Sequence, residues 1–129
     1  MATVRRERWP DGGGTLRVPV PGDDAEDLRV PLEFATSYRA RTRGLLGRDS
    51  LTGAMLLSPA SGVHTFGMRM PIDVAYLDRT LRVLAVRTMR PNRLGLPRPR
   101  ARHVLEAEAG AMAGWDLRAG VRVSVHPDA

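Results

Sequence analysis

Alternation of apolar and polar residues is the strongest pattern in the chain, and it predicts β-strands. Residues 16–20 (LRVPV) and 28–34 (LRVPLEF) each place an apolar side chain at every second position. Side chains two residues apart point to the same side of a strand, so each segment has one face to bury. The similarity of the two segments predicts that they pair as a hairpin, with the acidic segment 21–27 as its turn.

The same pattern predicts further strands and two short helices. Residues 72–77 (IDVAYL) are apolar on both faces except for Asp73, which is typical of an interior strand. Residues 81–89 are rich in valine and leucine and predict a hairpin with that strand. Thr36 or Ser37 can cap a helix that continues to about Arg43. The remaining predicted elements are strands at 54–57, 103–107 and 120–125, and one or two helical turns at 110–115.

Short strands at regular spacing with little helix predict a mostly β (α+β) fold. We expect a small barrel or sandwich of about six to eight strands with one or two short helices. A length of 129 residues suits one domain. We expect a flexible N-terminal tail at 1–14, ending in three glycines, and a single β-rich domain at 15–126.

Composition excludes several classes of chemistry. The absence of cysteine excludes disulfides, thiolate metal sites and thiol nucleophiles. The first residues are basic but no apolar run follows them, and no segment approaches the roughly 20 apolar residues of a membrane span. The sequence therefore predicts a cytoplasmic protein that does not enter a membrane, and it predicts no cofactor.

Charge is concentrated in the middle of the chain. The net charge is +6, every basic residue is arginine, and residues 37–102 hold thirteen arginines against three acidic residues. A basic face of this kind can attract a nucleic acid or another polyanion. However, the few aromatic residues do not alternate with the arginines as a base-stacking surface requires. The arginines that could contact phosphates are Arg39, Arg41, Arg43, Arg87, Arg90, Arg93, Arg98, Arg100 and Arg102.

Candidate site residues gather around the stretch 62–78. His64 is a possible general base or ligand, since imidazole titrates near neutral pH, or a histidine hydrogen-bonded to backbone. Asp73 is costly to bury without a partner, so we expect an arginine beside it, either as a structural clamp or as part of a site. The full set of ligand-binding candidates is His64, Thr65, Met68, Arg43, Arg48, Arg69, Asp73 and Glu106.

Two more specific sites can be written down from the same residues. A hydrolytic triad would combine Ser61 or Ser58 with His64 and Asp73, but no nucleophile-elbow motif supports it. Imidazole and thioether from His64, Met68 and Met70 would suit Cu(I), although methionine is more often core filler.

Several motifs fall in the order of a known family. Residues 43–48 (RGLLGR) resemble an "RxxGLMGR" element, 54–57 (AMLL) a "GMLF" strand, and 64–74 (HTFGMRMPIDV) the central "HTFxMRxPIDVxFLD" signature. Residues 105–110 resemble a "VLELxAG" element, and 117–121 a closing "GLxxGDxV". Over about residues 28–126 the chain is similar to the bacterial and archaeal domain of unknown function 192 family. Two departures are Ala107-Glu108, in place of an apolar residue and proline, and Arg122, which follows a Gly-Val pair where the family usually has Gly-Asp.

The resemblance implies a compact β-rich fold of barrel type and no particular activity. We therefore expect a module that binds a small molecule or a protein partner, with its site where segments 64–70, 43–48 and 91–100 meet. One alternative is a hydrolase-like enzyme that uses His64 as general base and an arginine as anion anchor. The other is polyanion binding through the arginine-rich middle of the chain.

Overall fold

The predicted first hairpin begins the sheet. The computed structural model of the chain describes residues 9–22 and 25–129. Strand β1 (Gly12–Val18) pairs antiparallel with β2 (Leu28–Ala35), with Leu16 opposite Val30. Because β1 starts at Gly12, the last three residues of the expected flexible tail belong to the sheet instead; residues 1–8 lie outside the described residues.

Glycine is required in β1 because other parts of the chain approach its backbone closely. A Cβ atom added to Gly14 would lie 2.5 Å from both the His126 carbonyl oxygen and the Phe34 ring. Real Cβ atoms do not come that close to other atoms, so a larger residue would push the neighbouring strand away. The glycine run that suggested a flexible tail is therefore a site of close strand packing.

A short helix connects two parallel strands. Helix α1 (Tyr38–Arg43) begins after Ser37, whose Oγ accepts a hydrogen bond from the Ala40 N–H at 3.1 Å, as predicted for a capping hydroxyl. Gly44 ends the helix with a positive φ of 46°. The chain then returns to β3 (Ala54–Leu57), which pairs parallel with β2. The carboxyl ends of β2 and β3 consequently lie at the same end of the sheet.

The predicted second hairpin forms the other half of the sheet. Strand β4 (Ile72–Leu77) lies between β5 (Val83–Met89) and β6 (His103–Glu108), antiparallel to both, and each of its six residues is buried. This confirms that 72–77 is an interior strand. Segment 63–66, which precedes β4, contributes a single bridge between His64 and Leu94.

The sheet is curled but not closed. Helix α2 (Ala111–Gly114) follows β6, and the last strand, β7 (Ser124–Pro127), is shorter than the predicted 120–125. The strand order is β5-β4-β6-β3-β2-β1-β7, so β5 and β7 are the edges. Residues 120–123 are not part of β7; they bond to 81–83, at the start of the β5 edge, for example from the Val83 N–H to the Val121 carbonyl at 2.8 Å. The fold is thus an open barrel or sandwich, mostly β with two short helices, as the alternation predicted.

Each face of the sheet packs against its own core. The first cluster receives side chains from all seven strands and from α2, including Leu16, Leu56, Leu77 and Met112. The second lies on the opposite face, where Ile72, Val74 and Tyr76 pack under the α1–β3 connection and the loops that follow β3 and β5. Two cores explain why β4 is apolar on both faces. Within residues 9–22 and 25–129, neither helix has the length and apolar character needed to cross a membrane.

Candidate functional site

A large cleft opens at the end of the sheet where β2 and β3 finish and β6 begins. Its volume is about 1010 Å³. The parallel β2–α1–β3 connection places residues 36–38 and 58–59 side by side there, and the β4–β5 turn and the start of β6 complete the wall. We call it the Ser58 cleft. Its lining residues are Trp9, Asp11, Thr36, Ser37, Tyr38, Arg41, Ser58, Pro59, Arg79, Thr80, Leu81, Arg102 and His103.

A hydrogen-bonded serine–histidine pair forms part of the wall. Ser58 Oγ lies 2.7 Å from His103 Nδ1, and the Ser58 residue is only 8% exposed. Burial of His103 lowers the pKa of its imidazole, which favours the neutral ring. The Trp9 ring meets His103 edge-on, with 5.4 Å between ring centroids. A neutral imidazole uses one nitrogen as donor and the other as acceptor, which leaves Nε2 to interact with a ligand.

Positive charge surrounds this pair. Arg41 Nη1 donates to the Pro59 carbonyl at 3.1 Å and Arg102 Nη1 to the Pro99 carbonyl at 2.8 Å, so backbone contacts orient both guanidinium groups. Arg79 is exposed in the β4–β5 turn. Within the described part of the chain, none of these three arginines forms an ion pair with a carboxylate.

The acidic residue that lines the cleft, Asp11, bonds to backbone N–H groups and not to an arginine. Asp11 Oδ1 accepts hydrogen bonds from the Thr36 N–H at 2.6 Å and the Ser37 N–H at 3.0 Å, just before α1. Its charge therefore serves the start of the helix rather than an arginine. The cleft as a whole keeps an excess of positive charge, which suits an anionic ligand.

Of the residues expected from the sequence, Thr65 has a structural role. Its side chain is buried, and its Oγ1 donates to the Arg90 carbonyl at 2.6 Å and accepts from the Arg93 N–H at 2.9 Å. The Thr65 backbone N–H also donates to the Arg93 carbonyl at 2.8 Å. These contacts join segment 64–70 to the 91–100 loop, as expected, but they leave the hydroxyl no donor for a ligand.

His64 lies on the surface of these joined segments. Its ring stacks on Phe66 with 5.0 Å between centroids, and its Nδ1 accepts from the Phe66 N–H at 3.3 Å. Neither a serine nor Asp73 contacts it in the described residues, so the triad of Ser58 or Ser61, His64 and Asp73 is not assembled. The histidine that does contact Ser58 is His103.

The prediction that an arginine pairs with Asp73 is wrong. Asp73 Oδ1 accepts from Thr88 Oγ1 at 2.7 Å, and Oδ2 accepts from the backbone N–H groups of Gly110 at 2.9 Å and Met112 at 3.1 Å. The carboxylate thus ties β4 to β5 and to the start of α2. Backbone donors satisfy this buried charge where we expected a guanidinium.

The three candidate arginines serve different purposes. Arg48 makes a bidentate pair with Glu33, at 2.9 and 2.8 Å, and this hydrogen bonding lowers the pKa of Glu33. Arg69 Nη1 lies 3.7 Å from Asp49 Oδ1 in an exposed pair. Arg43 is exposed at the end of α1. The turn after α1 does reach segment 64–70, since Leu46 lies 3.4 Å from where a Gly67 Cβ would be.

Glu106 is buried without a hydrogen-bond partner for Oε1 among the described residues. It lies on β6 between Met55 and Val74 of the neighbouring strands, under Gly44. Burial raises the pKa of its carboxyl group to about 7. It faces the second core and does not line the Ser58 cleft.

The methionines of the copper hypothesis pack against the second core. Met70 is buried in that cluster and Met68 packs at its margin. In residues 9–22 and 25–129, no group of three or more histidine, aspartate or glutamate side chains is placed to hold a metal ion.

Sequence reasoning missed most of the cleft. Ser58 was considered only as a partner of His64, Arg41 and Arg102 only as phosphate contacts, and His103 only as the start of a strand. A usable signal was Trp9, because a large aromatic residue in a polar tail usually has a surface to cover. It contacts Phe34 as well as His103.

Comparison with known proteins gives the family. The family model DUF192, described as "Uncharacterized ACR", matches residues 21–125. A UPF0127 protein of Pyrococcus horikoshii is 31% identical over 84 residues, covering 61% of this chain and 73% of that protein. A UPF0127 protein of Thermococcus gammatolerans is 30% identical over 99 residues, covering 72% of this chain and 65% of the relative.

Solved structures share the fold at low identity. The crystal structure of a putative transcription regulator from Sinorhizobium meliloti aligns with a TM-score of 0.74 and 16% identity. The alignment covers 92% of this chain and 98% of that protein. A protein of unknown function from Novosphingobium aromaticivorans aligns with a TM-score of 0.73 and 19% identity, covering 85% and 83%. These similarities carry no established catalytic activity. Since the family model spans the sheet from the first turn to β7, the chain belongs to the DUF192 family, as its central signature indicated.

Proposed function

We propose that this protein binds a small anionic molecule in the Ser58 cleft. The observation that carries the proposal is the convergence of Arg41, Arg79 and Arg102, without carboxylate partners in the described residues, around the Ser58–His103 pair. Arginines that are already oriented by the backbone lose little freedom on binding and match a carboxylate or phosphate group in geometry.

The cleft also favours an anion that has an apolar part. Trp9, Tyr38 and Leu81 contribute apolar surface to the lining, and the volume of about 1010 Å³ is at the upper end of the range for small-molecule sites. An aromatic carboxylate or an aromatic phosphate ester would place its ring against Trp9 and its charge among the guanidinium groups. His103 Nε2 would add one polar contact.

Isothermal titration calorimetry with benzoate and with phenyl phosphate tests this function. We expect the double variant Arg41→Gln, Arg79→Gln to bind the better probe at least tenfold more weakly, since two charge-assisted contacts are lost. Arg118→Gln, which removes an exposed arginine outside the cleft, should bind as the wild type does.

Circular dichroism would first establish that both variants are folded. Equal affinity in the double variant and in the Arg118→Gln control would contradict the proposal. Failure of the wild type to bind either probe at millimolar concentration would also contradict it, because an arginine-lined cleft of this size should retain a simple aromatic anion.

A further inference from the structure

A second concave surface lies beside strand β5, away from the Ser58 cleft. It has a volume of about 430 Å³ and is bounded by the end of β5 and by the 91–100 loop. The two cavities have no lining residue in common. We call this surface the edge groove. Its lining residues are Tyr76, Arg87, Thr88, Met89, Arg90, Arg93, Leu94, Gly95, Leu96 and Arg98.

The charge of the edge groove is entirely positive. Four of its lining residues are arginines and none is acidic. None of the four forms an ion pair within residues 9–22 and 25–129. Arg98 is held in place because its guanidinium carbon lies 4.8 Å from the centre of the Tyr76 ring. Arg87 and Arg93 are held by hydrogen bonds to backbone carbonyls, so the groove presents oriented guanidinium groups that have no counter-charge among the described residues.

Exposed apolar side chains accompany these arginines. Leu94 and Leu96 are 73% and 76% exposed, and Phe66, two residues after His64, is 50% exposed. The bridge between His64 and Leu94 keeps the two segments side by side. Single exposed leucines are common, but three large apolar residues on two joined loops form a patch of the kind found at binding surfaces.

The third wall of the groove is the edge of the sheet. β5 is the first strand in the sheet order, and its beginning is covered by residues 120–121 through bonds to Val83. Farther along, no further strand of the described residues lies outside β5 in the sheet order, and the Val86 carbonyl accepts a hydrogen bond from a side chain of its own strand, Arg87 Nη1, at 2.8 Å. An open strand edge can accept an extended segment of another chain as an additional strand.

We propose that the edge groove binds an extended acidic segment of a partner protein. The segment would run along β5, with carboxylates near Arg87, Arg90 and Arg93 and apolar side chains against Leu94 and Leu96. An alternating acidic and apolar sequence satisfies this arrangement, because successive side chains of a strand point to opposite faces. This interaction is independent of ligand binding in the Ser58 cleft.

The composition of the groove favours a peptide over other polyanions. A single strand of nucleic acid needs a row of aromatic rings on which bases stack. The one aromatic residue that lines the groove, Tyr76, is buried and covered by Arg98, and Phe66, outside the lining, is stacked on His64. An anionic membrane surface would be met by a protruding patch, whereas this surface is concave and follows a strand edge. Leucines beside arginines suit a segment that carries both apolar and acidic side chains.

Fluorescence anisotropy with a labelled ten-residue peptide of alternating glutamate and valine tests the proposal. We expect the wild type to bind it. Two groove variants should bind at least tenfold more weakly: the double variant Arg90→Gln with Arg93→Gln, and the double variant Leu94→Ser with Leu96→Ser. Arg79→Gln, which changes the Ser58 cleft only, should bind as the wild type does. Hydrogen exchange should slow within 85–94 on peptide binding but not within 124–127, the other edge strand.

Three results would overturn the proposal. The first is equal peptide binding by the wild type and both groove variants. The second is equal binding of a peptide of alternating lysine and valine, which would show that charge is not recognised. The third is that the wild type binds a thymidine oligonucleotide, or vesicles containing phosphatidylserine, more tightly than the acidic peptide, and that the groove variants weaken this binding. Each of these can occur whether or not the Ser58 cleft binds an anion.

Discussion

Glu106 carries a carboxyl group into the second core, where Met55 and Val74 flank it on the neighbouring strands. It is 1% exposed and Oε1 has no hydrogen-bond partner in the described residues. Its charged form is therefore unfavourable in the folded chain, while the unfolded chain ionises it readily in water. This difference links the stability of the fold to pH.

We expect the wild type to lose stability as the pH rises from about 4.5 to about 7, the ordinary and the raised pKa of Glu106. Below this range both states hold the proton; within it, only the unfolded state releases it. The free energy of unfolding should fall by about 3 kcal/mol from this group and then level off. Glu106→Gln, which cannot ionise, should lack this decrease and be more stable than the wild type at pH 8.

Urea denaturation at pH 5 and pH 8 measures both effects. Glu26→Gln, at an exposed position, is the control for the loss of one carboxylate. If Glu106→Gln and the wild type lose the same free energy of unfolding between these two pH values, the buried carboxyl group is not what couples this fold to protons.

Single polar residues in apolar surroundings were recognisable in the sequence, but their partners were not. Asp73 and Thr65 were both selected as candidates, and both are buried. Apart from Thr88 Oγ1, which donates to Asp73, their partners are backbone groups, 37 and 39 residues away for Asp73 and 25 and 28 residues away for Thr65. Every residue carries such backbone groups, so nothing in the sequence distinguishes the ones that a side chain will meet.

Among the elements, α2 depends on Asp73 for its position. The Gly110 and Met112 N–H groups both donate to Asp73 Oδ2, and Thr88 Oγ1 donates to Oδ1. We expect Asp73→Ala to lower the free energy of unfolding by about 3 kcal/mol, because backbone donors at the helix start lose a charged acceptor. Thr88→Val, which removes one donor and keeps the carboxylate, should cost about 1 kcal/mol.

Urea denaturation gives both values, and amide hydrogen exchange locates the effect. The Met112 amide should exchange much faster in Asp73→Ala and little faster in Thr88→Val. Equal exchange of this amide in Asp73→Ala and in the wild type would show that the carboxylate does not hold α2.

Elements with a regular period were predictable, and those defined by long-range contacts were not. β2 and β4 lie where the alternation and the apolar run placed them. The parallel pairing of β2 with β3 follows from how α1 crosses the sheet, which no local pattern specifies. Likewise, residues 120–123 alternate like a strand but bond to 81–83, at the opposite edge of the sheet, so β7 begins later.

For the whole molecule, we predict that the folded domain begins before residue 15. Gly12–Gly14 pair with β2, Asp11 bonds to Ser37, and Trp9 packs on Phe34 with 5.9 Å between ring centroids. A chain of residues 15–129 should therefore lose at least about 2 kcal/mol of unfolding free energy, since several backbone bonds contribute about 1 kcal/mol each. The intact chain with Trp9→Ala separates the contribution of the ring from that of the strand.

Urea denaturation of the shortened, intact and Trp9→Ala chains provides the comparison. A shortened chain with the same unfolding midpoint and slope as the intact one would place the start of the domain at residue 15, as the glycine run suggested.

The sequence by itself determined the class of fold, most of the strands, the N-terminal cap of α1 and the family, because each depends on local periodicity or on a motif of adjacent residues. Only the tertiary structure decided where the proposed ligand site lies. The Ser58 cleft unites Trp9, Arg41, Ser58, Arg79 and His103, which lie far apart in sequence and meet because β2 and β3 are parallel and end together. A binding site depends on distances in space, and these are set by strand order and packing rather than by the pattern along the chain.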